Sequence, residues 1–501
     1  MAQSFLSKSR YLNGLQCLKY LWLQVNQPDS IPERDAQTQY IFDQGQLVEQ
    51  LARKLFPDSI EVPFEDFMGN IRTTKKLLKE RQTLFQAGVM SNSIYSRLDV
   101  LLPDESGKWD IIEIKSSTRV KDENIDDVSF QKHCCEKQGL IISRCYLMHI
   151  NNQYVRQGEV DPNGLFIMDD ITEAVGKAQA GIDDRIKAMQ EVIGAAICPA
   201  SRVGLHCRDP YECPVTECRE ALPENNILDL YRGGKKSFDL LYRGVLRLSD
   251  IPEDTKLTEP QKVQKWCDIN SCTFMEPASI QAFLKSLKYP IHYLDFETLN
   301  TAIPLFDGVR PYQQVPFQFS LHIIDKVGSM PWHFSHLANS PADPRPQFLV
   351  ALQKALGIKG SIVVYNQSFE EGILRELGKA YPEYREWTDG VCSRLVDLLL
   401  PFRNFYYYHP DQKGSASIKS VLPALTGRGY DELEISEGET ASLTYLAMTY
   451  GNMPAAEKEK TRADLEVYCQ RDTEGMIWIV DKLKEMCGLV ENTTRKTRKP
   501  R

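Results

Sequence analysis

The sequence predicts an α/β chain of two strand-and-helix domains with a helical connector between them, and three patterns carry that prediction. Residues 94–103 (IYSRLDVLLP) and 109–115 (WDIIEIK) alternate apolar and polar side chains around Asp104-Glu105-Ser106-Gly107, the pattern of two antiparallel strands joined by a turn. From Ile291 the apolar stretches IHYLDFET, FQFSLHII and SIVVYN are followed by long amphipathic segments, which predicts a second α/β domain. Between the two, residues 226–288 are mostly helical in pattern, with breaks at Gly233-Gly234 and Ile251-Pro252, so a connector is expected. At 501 residues the chain exceeds what a single core supports. The predicted divisions are 1–222, 223–286 and 287–490, with a basic tail over 491–501.

Composition removes several classes. With 42% hydrophobic and 26% charged residues the chain is folded, neither disordered nor fibrous. No apolar run approaches the roughly 20 residues that span a bilayer. Lys8, Arg10 and Lys19 interrupt the start, so a secretory signal is not expected and the cytosol is the default compartment. A net charge of −8 argues against coating nucleic acid in bulk but leaves room for a local basic track. Gly233-Gly234-Lys235-Lys236-Ser237 lacks the upstream glycine of a P-loop, so no ATP-driven motor is encoded.

The C-terminal part carries an ordered set of acids. Asp295 and Glu297 lie two apart in a predicted strand, and the pleat places both on one face. Glu370 follows the strand SIVVYN and falls in the first turn of the next helix. Tyr468 and Asp472 are four apart on a helix predicted over 463–486, so they share a face. Hydrolysis of a phosphodiester is helped by two hard cations about 3.5–4 Å apart held by oxygen ligands, which suits Mg²⁺ or Mn²⁺. D-x-E on a strand, N-x-x-F-[DE] after a later strand and Y-x-x-x-D on the final helix resemble the DEDDy 3′→5′ exonucleases of the DnaQ-like, RNase H-like fold. The resemblance implies metal ligation by Asp295, Glu297, Glu370 and Asp472, and a catalytic Tyr468 orienting the attacking water. Glu370 stands where that family usually has Asp. Asp397 resembles a structural or substrate-side position.

The N-terminal part carries a second set. Asp99 on the first predicted strand, then Glu113 and Lys115 on one face of the second, form D…E-x-K, which resembles the RecB-like branch of the PD-(D/E)XK nucleases. That resemblance implies metal ligation by Glu49, Asp99 and Glu113, with Lys115 and Gln131 catalytic. Glu49, in a helix read as beginning near Gly45, occupies a place often held by His; Gln131 is read at the opening of another helix.

Thirteen cysteines in a cytosolic chain point to free thiols or to metal and cluster ligands. Cys17 near the start, with Cys207, Cys213 and Cys218 in HCRDPYECPVTEC, resembles the iron–sulfur nucleases of the AddB and CRISPR-adaptation type. The resemblance implies a structural 4Fe–4S cluster. Four thiolates suit Zn²⁺ as well, Cys198 is a substitute ligand, and the C-x5-C-x4-C spacing departs from the usual trio. The joined pattern is similar to a widespread bacterial two-part family whose C-terminal half is a domain of unknown function. It implies a nucleic-acid partner, single-stranded or ended DNA foremost and RNA as an alternative, no membrane partner, and room for a helicase or a repair or defence partner. Two alternatives stay open: one centre is a binding platform for the other, or the chain is a non-catalytic nucleic-acid scaffold. Arg403–His409, a base with four aromatics, reads either as a stacking platform or as core.

Overall fold

A computed structural model describes residues 5–64 and 66–489; the basic tail read from the sequence lies outside them. The chain forms two mixed α/β units. The first comprises the chain to Ala221 together with Thr301–Gln313, and the second comprises Leu222–Asn300 and the chain from Gln314 onward. Residues 223–286, read as a connector, therefore cluster with the second unit. They are less helical than their pattern predicts: helices Lys235–Tyr242, Glu259–Asn270 and Pro277–Ser286 alternate with single turns.

The first unit is built on seven strands: β1 (Leu6–Ser7), β2 (Ile60–Glu61), β3 (Leu84–Ser91), β4 (Ile94–Pro103), β5 (Trp109–Lys115), β6 (Ile142–Ile150) and β7 (Phe166–Asp170). They run in the order β2-β3-β4-β5-β6-β7, with β1 against β4. β4 and β5 pair antiparallel as predicted, and β5 pairs parallel with β6. Both faces of the sheet are covered, which is why most of β5 is buried, Glu113 included. One face packs Leu98, Ile111, Phe130 and Leu147, and the other packs Val48, Val100, Ile112 and Ala302. Ala302 comes from the Thr301–Gln313 loop, which contributes to this core although its flanking strands belong to the other unit.

The second unit contains β8 (Phe274–Met275), β9 (Ile291–Leu299), β10 (Val315–Ile324), β11 (Trp332–Leu337), β12 (Ile362–Val364), β13 (Leu395–Asp397) and β14 (Tyr407–Tyr408). Five form a sheet in the order β11-β10-β9-β12-β13. β9, β10 and β11 are antiparallel neighbours, while β12 runs parallel to both β9 and β13. β11 was not anticipated: Trp332–Leu337 has four exposed residues in a row and no clean alternation. The sheet packs Leu294, Phe296, Phe319 and Ile362 against Phe348, Leu374 and Val391.

Three boundaries differ from the sequence reading. The last helix begins at Ala455 and runs to Met486, because its first two turns are polar and lack the apolar period that marks a helix. Glu49 lies near the end of helix Ala36–Ala52, whose N-terminal turns are largely exposed. Gln131 sits in the middle of helix Asp122–Lys137. The aromatic run also resolves to core: Phe405 stacks on Tyr408 with centroids 4.9 Å apart, and both are buried. It is not a stacking platform. No helix among the described residues is long and apolar enough to cross a membrane.

Candidate active site

In the second unit Asp295 and Glu297 lie in one close group with Cys469, and Asp472 and Glu370 stand outside that group but near enough for their charges to act on both. Asp295 and Glu297 on β9 stand opposite Ser320 and Gln318 on β10. Those partners also fix the final helix: Gln318 Nε2 donates to the Leu465 carbonyl at 2.9 Å, and the Ser320 and Thr473 hydroxyls meet at 2.7 Å. His322 Nδ1 lies 2.8 Å from the same Thr473 oxygen. Tyr468 and Asp472 fall between these two ties, so sheet register sets where they point. Glu370 enters from helix Gln367–Ala380, just past the end of β12.

The cluster is anionic and poorly paired. Glu297, Glu370 and Asp472 are buried, and Glu370 Oε2 has no hydrogen-bond partner among the described residues. Burial first, then the charges of Asp472, Glu297 and Glu370, push the Asp295 carboxyl well above its ordinary range. Glu297 is raised well above its own range by burial and then by Asp472, with Lys419 opposing. Glu370 is raised to about 8 by burial, with Asp397 adding to it. Asp472 is raised only to about 6, because Tyr430 and Lys419 counter its burial. Buried carboxylates left like this cost several kcal/mol each unless a cation or proton joins them. The unpartnered Glu370 oxygen and the all-oxygen acid set fit a hard divalent ion.

Several contributors carried no sequence signal that was read. The Tyr430 hydroxyl donates to Asp472 Oδ1 at 2.5 Å. Lys419 Nζ stands 5.3 Å over the Tyr468 ring and 5.6 Å over that of Tyr430, and it pairs with Glu437 at 2.9 Å. Both come from segments remote in sequence from the acids. Cys469 Sγ lies 3.8 Å from Asp295 Oδ2, and its ligand atom groups with those of Asp295 and Glu297 within 4.8 Å. Burial and the neighbouring acids push the Cys469 thiol well up, so it stands as a neutral donor. Asp397 accepts from the backbone N–H groups of Asn366 and Leu399 at 3.2 and 3.0 Å, a structural task.

In the first unit Glu113 and Lys115 share a face of β5, and Gln131 reaches them. Gln131 Nε2 donates to Glu113 Oε2 at 2.6 Å and to Asp127 Oδ1 at 2.9 Å. Lys115 Nζ lies 2.5 Å from Glu113 and 2.8 Å from Asp127. Lys8 adds a second ammonium, 2.8 Å from Glu113. Burial works against the Lys115 charge, but Asp127 and Glu113 outweigh it and raise the ammonium well above its usual value. Two acids are thus balanced by two lysines. Asp127 and Lys8 were missed, although Asp127 is one helical turn before Gln131 and that spacing could have found it. Asp99 accepts from the Ile114 N–H at 2.9 Å and is raised by burial, with the Glu49 charge adding. Glu49 itself accepts a hydrogen bond from Gln86.

The four predicted cysteine ligands lie near enough for Cys17 and Cys218 to act electrostatically on Cys207 and Cys213, but no three of their sulfurs fall within 4.8 Å of one another. Cys17 sits between helices Lys8–Gln16 and Leu18–Asn26, and Gln16 Nε2 donates to the His206 and Tyr211 carbonyls at 2.8 and 2.6 Å. Cys213 N–H closes on the Cys207 carbonyl at 2.9 Å. Burial raises the Cys207 and Cys213 thiols, and the neighbouring Cys17 and Cys218 add to both. All four are free thiols.

A family model described as Domain of unknown function (DUF2779) matches residues 292–417, which takes in Asp295, Glu297 and Glu370 but stops short of Tyr468 and Asp472. Uncharacterized protein UU173 of Ureaplasma parvum is 27% identical over 231 residues, 42% of this chain and 33% of its own. Uncharacterized protein MG366 homolog of Mycoplasma pneumoniae is 28% identical over 214 residues, 39% of this chain and 32% of its own. The chain thus spans about a third of the length of the curated relatives it matches.

Proposed function

We propose that this chain is a metal-dependent nuclease whose principal centre is the acid cluster of the second unit, acting as a 3′→5′ exonuclease of the DEDDy type. The observation that carries this is the set of buried acids Glu297, Glu370 and Asp472 around Asp295, raised by burial and by one another with no cation salt-bridged to them among the described residues. A structural protein gains nothing from such a cluster, whereas a divalent-ion site requires it. The order β11-β10-β9-β12-β13, with an antiparallel half and a parallel half, supports an RNase H-like reading.

Asp295, Glu297, Glu370 and Asp472 would hold Mg²⁺ or Mn²⁺. Such an ion, when bound, lowers the pKa of a water and offsets charge at the scissile phosphate. The chain's own groups supply orientation: Tyr468 presents a neutral phenol beside the acids, Tyr430 fixes the rotamer of Asp472, and Lys419 adds positive charge near the aromatic pair. The test is digestion of a 5′-labelled single strand with Mn²⁺. A ladder shortening from the 3′ end, abolished by EDTA, supports the activity, and an untouched strand refutes it.

For the first unit a specific observation favours the binding-platform alternative. Both Glu113 oxygens and both Asp127 oxygens already meet Lys8, Lys115 or Gln131. A PD-(D/E)XK centre there, using Glu49, Asp99 and Glu113, requires Lys8 to yield its place. For the cysteine set the proposal is a thiolate-held centre, 4Fe–4S or Zn²⁺, in a structural role. Iron and zinc analysis of anaerobically purified protein separates the two.

A further inference from the structure

The carboxyl ends of the parallel neighbours β5 and β6 open into a cleft of about 500 Å³ within the first unit. Ligands of open α/β sheets bind at such strand ends, and this volume lies within the usual range of binding clefts, about 300–1,000 Å³. Its lining is polar and cationic: Arg119 and Lys121 follow β5, Asn152 and Gln153 follow β6, and Arg310 and Tyr312 come from the Thr301–Gln313 loop. Arg119 is exposed, and its guanidinium has no partner among the described residues. Lys121 has one ion pair among the described residues, to Glu123 at 3.4 Å.

The loop that brings Arg310 and Tyr312 is firmly held. Arg156 Nη1 donates to the Pro304 and Leu305 carbonyls at 2.9 and 2.6 Å, and the Gly308 N–H donates to the Arg156 carbonyl at 2.8 Å. Tyr312 has φ 60°, a left-handed conformation that costs a bulky residue about 1–3 kcal/mol. It is kept there by its N–H on the Thr301 carbonyl at 2.9 Å and its hydroxyl on the Ser116 carbonyl. Strain of this kind is retained where a side chain must be presented, and Tyr312 is 38% exposed.

We propose that this cleft is a binding subsite for the sugar-phosphate backbone of a single-stranded polynucleotide, with Arg119, Lys121 and Arg310 on phosphates and the Tyr312 ring stacking on a base. Cations along a groove with an aromatic at its rim are the requirements for single-strand binding without sequence preference. The cleft supplies the local basic track that a chain of net charge −8 must have to hold a polyanion. The proposal rests on the nuclease reading for its choice of polyanion, but not on either centre being catalytic.

The test is fluorescence anisotropy of a labelled oligothymidine of about 20 nucleotides with the full chain in EDTA, titrated with salt. The expected result is at least a tenfold loss of affinity at low salt for Arg119→Gln/Arg310→Gln. The slope of log K against log salt should fall by about 1.4 for the two lost phosphate contacts. Arg119→Lys/Arg310→Lys should keep most of the binding, which separates lost charge from lost fold, and Tyr312→Ala should weaken it without changing the slope. Binding and slope unchanged in the double glutamine variant overturn the proposal, as does a wild-type chain that does not bind the strand. An Asp295→Asn chain that binds normally but no longer cleaves keeps the subsite and the catalytic reading distinguishable.

Discussion

The Tyr430 hydroxyl donates to Asp472 Oδ1 at 2.5 Å, joining a loop tyrosine to the last acid of the cluster across 42 residues of chain. A hydrogen bond to a charged acceptor favours the charged form and is worth about 1.5–3 kcal/mol. Tyr430 therefore keeps Asp472 more ionisable than its burial allows. Tyr430→Phe should move the acid limb of the pH–rate profile upward by about one unit and lower the rate roughly tenfold near neutrality, with recovery at higher pH. An unshifted limb would show that Asp472 does not titrate in that range.

Replacing one buried ionisable carboxyl by an amide should relieve the cluster. Asp295→Asn is expected to raise the melting temperature of the cation-free protein while abolishing Mn²⁺-dependent cleavage, the usual opposition between stability and a functional site. A gain of about 1 kcal/mol corresponds to roughly 2–4 °C in a domain of this size. Scanning calorimetry in EDTA reads it, and a melting temperature that falls contradicts the electrostatic account of the cluster.

The raised carboxyls make the stability of the cation-free protein depend on pH. These carboxyls have folded pKa values above their unfolded values of about 4. The stability they contribute is complete below that pH and is lost as pH rises through about 6 for Asp472 and about 8 for Glu370. In EDTA, wild type should lose stability relative to Glu370→Gln between about pH 5 and 8, and millimolar Mn²⁺ should remove most of the difference. A constant difference across that range counts against it.

In the first unit the two lysines should matter for folding before chemistry. Lys8→Met leaves Glu113 and Asp127 with one ammonium between them. The cost expected is on the order of 2–3 kcal/mol, the low side for a broken buried pair because Lys8 keeps some contact with solvent. Denaturant unfolding of Lys8→Met beside Lys8→Met/Glu113→Gln measures it: the second change should restore part of the loss. Additive losses would mean that the pair is not coupled.

The cysteines give a prediction that is independent of nuclease activity. Anaerobically purified protein should carry iron or zinc in proportion to chain, and Cys213→Ser should lose it together with thermal stability. Retained metal in Cys213→Ser and in Cys17→Ser would remove both residues from the ligand set.

What could be read from sequence was what local periodicity encodes. Asp295 with Glu297, and Glu113 with Lys115, follow from the two-residue pleat, and Tyr468 with Asp472 follows from the helical turn. Each is a relation within one element. Tyr430, Lys419 and Lys8 lie in segments whose local pattern says nothing about the site, and only the packing of distant elements brings them in. The loop Thr301–Gln313 is the extreme case: a connection between β9 and β10 in sequence, it contributes Ala302 to the core of the other unit. The aromatic run at 405–408 failed for the opposite reason, since composition suited both a platform and a core, and burial decided for core.

Hydrolysis of phosphodiester bonds by the acids of the second unit is the activity on which the proposed function stands. Its most direct test is digestion of an end-labelled single strand with Mn²⁺ by wild type, Asp295→Asn, Glu113→Gln and the double variant. Wild type should cleave, Asp295→Asn should lose 3′→5′ shortening, and Glu113→Gln should retain it. Undiminished cleavage by the double variant would contradict the proposed function.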